Sequence, residues 1–257
     1  MNGFAVLLRK ELVESWRTRR LPVVAVLFVI VGMVSPLTAR YLPEIMELAL
    51  GDQLTIPMPT PTPVMALEQL QKNLGQLGAL AAIALAMGSV AGELDRGTAA
   101  LVLAQPATRS AFLAAKLVAI GVVLAVSMAL ASAVAWVYTG VLFEAQPVGG
   151  WVAMAFLSWL ALSAWAALTF LASAATGSTT AAAGLGVTAL IVLSLVAIVP
   201  ALDRILPTGL SAPAIQLAAG VTAGLDVARL ATAVVGALAV IGASLAAALV
   251  AFRRREL

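Results

Sequence analysis

Long apolar runs without a charge set the rhythm of this chain. They cover Leu21–Ala39, Asn73–Gly92, Leu117–Phe143, Ala145–Leu202 and Leu230–Phe252. A membrane-spanning helix needs about 20 mostly apolar residues, so four of the runs read as one crossing each. The fourth is far too long for one. It divides at Thr176–Thr180, "TGSTT", where glycine and hydroxyl residues favour a tight turn, into Trp151–Ala175 and Ala181–Ala201. The pattern therefore predicts an all-α integral membrane protein with six transmembrane helices in one domain, residues 1–257.

Composition agrees with the pattern. The chain is 62% hydrophobic and 11% charged, with a mean hydropathy of +1.06. A soluble domain carries roughly a quarter of its residues as charges. A cleavable signal peptide is not expected, because the first apolar run follows a charged helix-forming segment and is long enough to span. Six crossings put both termini on one side. If that side also holds the 93–116 segment and the 176–180 turn, it receives eleven lysines and arginines, against Arg40, Lys72, Arg204 and Arg229 on the other. The positive-inside bias then places both termini in the cytoplasm, with the chain multi-pass in the membrane. Residues 40–72 and 203–229 become outer loops.

The segments between spans carry their own patterns. Residues 1–20 read as an interfacial amphipathic helix. Phe4, Leu8, Leu12 and Trp16 recur every fourth residue as an apolar stripe, with Lys10, Glu14 and Arg17 on the opposite face. Such a helix serves either as a topology anchor at the lipid surface or as a scaffold that also receives a cytoplasmic partner. In the first outer loop, "IPMPTPTP" (Ile56–Pro63) favours extended polyproline backbone. The spacing of Leu67, Leu70, Leu74, Leu77 and Ala81 then predicts that span two begins as a helix outside the membrane. Pro207–Asp226 is half-apolar and broken by Gly and Pro, which suits a re-entrant or interfacial outer segment before the last span. Small residues at every fourth position, Ala125–Ala129–Ala133 and Ala243–Ala247–Ala251, suit close helix packing.

Candidate chemistry is narrowed by what is missing. There is no Cys and no His, which removes disulfides, Cys/His metal sites and Ser-His or Cys-His catalytic pairs. No metal site is expected. The charge-free runs hold no group to protonate in mid-membrane, as proton-coupled carriers require; sodium coupling through backbone carbonyls stays open. Gly92-x4-Gly97-Thr98 has a phosphate-loop outline but lacks its lysine and follows a span rather than a strand. The chain therefore hydrolyses no nucleotide itself and binds no cofactor. If it moves anything uphill, another subunit supplies the energy.

One polar stretch interrupts the apolar rhythm: "GELDRGTAALVLAQPATRSAFLAAK", Gly92–Lys116. Glu93 ends span two, Gly97 can relax the helix, Thr98–Gln105 can form a short apolar helix, and Pro106 stops it. Thr108 can cap span three, with Arg109 and Lys116 anchoring that end near the lipid phosphates. On these grounds residues 93–110 form either an elbow whose apolar patch (Leu101, Val102, Leu103) needs a partner, or an ordinary hairpin loop.

Here the residues resemble a known signature. Gly92, Glu93, Gly97, Thr98, Leu101, Leu103, Pro106, Arg109 and Lys116 match the pattern of type-2 ATP-binding-cassette (ABC) exporter permeases. Leu7–Leu21, with its Arg-Lys-Glu-Leu block before a basic pair, is similar to that family's opening. The likeness is greatest to small bacterial permeases such as those of nitrous-oxide-reductase maturation. One departure is Asp95 followed by Arg96, where many relatives carry a neutral residue. The resemblance implies that Glu93, Asp95, Arg96, Gly97, Thr98, Leu101, Pro106 and Arg109 couple the chain to separate ABC ATPase subunits that bind ATP and Mg. It further implies a second permease copy, a homodimer being expected, and bracing of the ATPase by the interfacial helix. The membrane it implies is the cytoplasmic membrane of a bacterium. Membrane lipid is the other expected partner, and nucleic acid is not one. The competing readings are a self-sufficient secondary carrier or channel, and a membrane anchor without transport.

Overall fold

The computed structural model describes residues 3–50, 60–95, 97, 108–221 and 224–253. All regular structure among them is helical, and six helices are long and apolar enough to cross a membrane. Span one is Arg20–Arg40, span two Pro63–Asp95, span three Arg109–Leu142, span four Val148–Thr176, span five Thr179–Val196 and span six Val227–Arg253. A separate N-terminal helix, Gly3–Arg17, precedes them.

Local chemistry explains most boundaries. The Thr62 hydroxyl caps span two and the Thr108 hydroxyl caps span three, accepting from the Met65 and Ala111 amides respectively. Ser178 does the same for span five. Just before it, Gly177 closes span four in the left-handed conformation (φ 67°), which glycine adopts without a Cβ clash. The turn between spans four and five thus falls inside "TGSTT". Span five itself ends at Val196, short of the expected Ala201, because Pro200 opens a separate short helix, Pro200–Asp203.

Span two departs most from a plain rod. It starts ten residues before the charge-free run, at Pro63 rather than Asn73, and it is not uniform. Leu74–Gly78 is a π-helical stretch, and Gly88–Val90 is a turn that separates Ala79–Met87 from Ala91–Asp95. Neither feature has a period that apolar patterning reports.

Span four is the hub. It packs against spans two, three, five and six and against the outer helix Ser211–Ala218. Its buried face includes Trp151, Met154, Leu162, Trp165 and Phe170. Spans one and three pair extensively beside it. The segment expected to be re-entrant is a 3-10 turn, Pro207–Leu210, followed by the helix Ser211–Ala218, with Leu210, Ala214 and Ala218 buried. Burial is uneven: 61% of the most apolar windows of spans two and four is inside the protomer, but only 11% of span five and 22% of span six. The latter two leave most of their apolar surface for lipid or another protein.

Candidate functional site: a charge cluster where the N-terminal helix meets spans two and three

The N-terminal helix, the end of span two and the start of span three gather charges at one end of the bundle. Span three enters at Arg109, and about two turns later Lys116 would lie within apolar sequence. Its side chain is only 3% exposed. Burying an ammonium there is costly unless it is paired and hydrogen-bonded. Both conditions are met. Lys116 Nζ donates to Glu93 Oε1 at 2.7 Å and to Glu11 Oε1 at 3.0 Å, and it lies 5.0 Å from the centre of the Phe112 ring.

Lys10 closes the ring from the other side. Its Nζ donates to Glu93 Oε1 at 2.9 Å and Glu11 Oε1 at 3.0 Å, and reaches Glu14 Oε2 at 3.2 Å. Three carboxylates and two ammoniums thus join three elements: the N-terminal helix, the end of span two and the start of span three. Glu11, Glu14 and Glu93 also lie close enough together to hold a metal ion. The two ammoniums occupy the space between those carboxylates, so a divalent ion would have to displace both lysines to bind.

Glu93 reaches this position because span two breaks just before it. The turn at Gly88–Val90 frees backbone groups, and one hydroxyl from span four takes them up. Ser173 Oγ accepts from the Val90 amide (3.3 Å) and the Ala91 amide (3.0 Å) and donates to the Met87 carbonyl (2.8 Å). The short helix Ala91–Asp95 is thereby offset from the rest of the span, with Glu93 turned inward and Asp95 outward.

Arg109 has a different task. Its Nη1 donates to the Phe252 and Arg253 carbonyls at 3.5 and 3.2 Å, at the C-terminal end of span six. A cation there complements the free carbonyls of the last turn. Phe112 stacks on Phe252 next to it, ring centres 5.8 Å apart. Span three is in this way fastened to span six on one side and to the N-terminal helix on the other.

The expected placement of two cations changes accordingly. Lys116, expected to anchor near the lipid phosphates, is instead buried against the Glu93 and Glu11 carboxylates. The N-terminal helix is also rotated from its expected orientation. Leu7 and Glu11 face span three, Phe4 and Leu8 pack on the core edge, Leu12 is half-buried, and Trp16 and Arg17 are exposed. Lys10 therefore turns toward the protein. Of the other expected coupling residues, Gly97 is exposed with φ 66° and its amide bonds the Leu94 carbonyl. Arg96, Thr98, Leu101 and Pro106 lie outside the described residues.

Sequence reasoning passed over Glu11 and Ser173. A signal for Glu11 existed: a lysine two turns inside an apolar helix requires an anion, and Glu11 shares the Leu7 face of its helix. Ser173 had none, since a serine in an apolar span ordinarily bonds its own preceding turn.

The cluster gives one pH expectation. Burial alone would lower the Lys10 pKa, but its hydrogen bonds to Glu93 and Glu11 and their charges outweigh burial, and the net shift is upward. A raised ammonium contributes stability that is complete below the free-lysine range near about pH 10.4 and fades as pH rises through the higher folded value. Hydrogen exchange of the N-terminal helix should therefore stay constant from neutral pH to about 10 after correction for intrinsic rates, and accelerate above it.

Comparison with known proteins agrees with this architecture. The chain is 33% identical over 148 residues to the uncharacterized transmembrane protein YxlG of Bacillus subtilis (strain 168), a match covering 56% of this chain and 57% of that protein. The family described as "ABC-2 family transporter protein" matches residues 5–257, which takes in the N-terminal helix, the charge cluster and all six spans. The chain belongs to the ABC-2 family of transporter proteins.

Proposed function

We propose that this chain lines the substrate path of an ABC exporter, paired with a second copy, and receives the stroke of a separate ATPase through residues 93–110. Membership of the family makes it a membrane transport subunit. What supports the finer reading is one arrangement: the charge cluster ties Glu93, where the 93–110 segment begins, to Lys116 on the span that follows it, and both to the N-terminal helix. A push on that segment would then move spans two and three and the N-terminal helix together. A loop free of such ties would absorb the push locally. ATP and Mg belong to the ATPase in this reading, and both termini face the cytoplasm. The nearly unburied face of span five suits the second copy.

Affinity-tagged chain expressed in its native host should co-purify with an ABC ATPase. Glu93→Ala and Arg109→Ala should each lower ATP-dependent transport by at least about tenfold while leaving membrane insertion intact, as expected for loss of a hydrogen-bonded charge partner. ATP-coupled transport by the chain alone would rule the reading out. Flux driven by an ion gradient through the isolated chain would establish the carrier alternative instead.

A further inference from the structure

At the end of the bundle that holds the charge cluster, the chain turns from the N-terminal helix into span one, and the residue at the corner is Arg19. Its φ of 60° lies in the left-handed region, where every other described residue with positive φ is a glycine. Its amide bonds the Trp16 carbonyl at 3.0 Å. Glycine is the usual residue at such a helix end, because a Cβ is strained there. An arginine in a glycine position points to a use for its side chain.

The corner borders a groove of about 540 Å³ between span one, span two and the start of span five. Its mouth is polar, with Thr18, Arg19, Arg20 and Thr179. Gly88 and Gly92, on either side of the break in span two, leave the facing wall there without side chains. Deeper in, the wall is apolar, from Val23 and Leu27 on span one and Ala81 and Ala84 on span two. Leu27 lies seven residues, about 10 Å, along its helix from Arg20. Neither arginine forms an ion pair among the described residues. The Glu11, Glu14 and Glu93 carboxylates at this end are taken by Lys10 and Lys116, and Asp95, one turn past Gly92, pairs with neither arginine. A guanidinium donates and never accepts. Both arginines also stand at the N-terminus of span one, which has no side-chain cap and whose dipole adds to the positive potential.

We infer that this groove holds an anionic phospholipid, its phosphate on Arg19 and Arg20 and an acyl chain along Val23, Leu27 and Ala84. The two ends of the groove select the two ends of that molecule. Paired guanidiniums with no carboxylate of their own match a phosphate, and a free anion would leave the apolar wall uncovered. A glycine at the corner would relieve the backbone but remove one of the two cations. A lipid seated here bridges the N-terminal helix, span one and span two. The inference goes beyond the permease reading and does not depend on it.

The test uses the purified full-length chain in a neutral maltoside detergent, with bound lipid counted by native mass spectrometry across a titration. Phosphatidylglycerol should bind about tenfold more tightly than phosphatidylcholine with the same acyl chains, and Arg19→Gln/Arg20→Gln should erase that preference. Arg19→Gly should lose several-fold in phosphatidylglycerol affinity while its unfolding temperature in lipid-free detergent holds or rises, a split that a merely structural arginine would not give. Ala84→Trp, which fills the groove and leaves both arginines in place, should also weaken phosphatidylglycerol several-fold. Glycerophosphoglycerol, the headgroup without chains, should not compete. No preference for phosphatidylglycerol in the wild type, an undiminished preference in the double variant, or full competition by the bare headgroup overturns the inference. Unchanged retention in Ala84→Trp overturns it too, and a simultaneous change of oligomeric state would then assign the groove to a second copy. Should Ala84→Trp fail to fold, the arginine variants decide. No ATPase is needed, so failure here leaves the permease reading standing.

Discussion

Lys116→Met is expected to destabilise the chain by about 3 kcal/mol or more, the usual consequence of removing one partner from a buried ion pair. The substitution keeps length and apolar volume, so packing against Phe112 survives. What is lost is the ammonium that separates Glu93 from Glu11, whose Oε1 atoms it bridges at 2.7 and 3.0 Å. Both carboxylates keep their pairing with Lys10, which must then serve Glu11, Glu14 and Glu93 together. The double variant Glu93→Met/Lys116→Met should recover most of the loss. Lys10, Glu11 and Glu14 can still pair on the N-terminal helix, and an apolar replacement of a buried pair is often neutral. Thermal unfolding of the two single variants and the double variant in one detergent checks this as a mutant cycle. Additive effects, with no recovery in the double variant, would show that the pair is not a unit.

A comparable loss is expected from Gly32→Leu, by collision rather than by charge. Gly32 faces span three so closely that an added Cβ would meet the backbone carbonyl oxygen of Ala131. Backbone atoms cannot rotate away as a side-chain tip can. The helices must part, and overpacking of this kind costs about 1–3 kcal/mol, with a residue as large as leucine at the upper end or beyond. Spans one and three share one of the largest interhelical contacts of the fold, and the Phe28 and Val31 side chains buried beside Gly32 would lose their neighbours as well. A lowered unfolding temperature, together with faster exchange in span one but not in span six, is the expected signature. In contrast, Gly121→Leu on span three, where an added Cβ meets nothing, should be tolerated.

The two predictions depend on information of different kinds. Six spans and the cap at Thr108 were legible from residue order. Each helix in lipid must satisfy its own backbone, so hydropathy over a window of about 20 residues decides whether a segment crosses, whatever its neighbours do. The same holds for the "TGSTT" turn, where glycine and serine act on adjacent residues.

Partner choice is not a local property. Lys116 and Glu11 are 105 residues apart, and Ser173 and Val90 are 83 apart. Their meeting depends on how each helix is rotated about its axis. The N-terminal helix has one apolar stripe and one charged edge, and its sequence permits either to face the protein. The tertiary structure turned it so that Leu7 and Glu11 face span three, because a buried ammonium there needs anions more than the lipid surface needs Lys10. The break in span two was decided in the same way. A serine hydroxyl from span four takes up backbone groups there that residue order alone gives no reason to expect free.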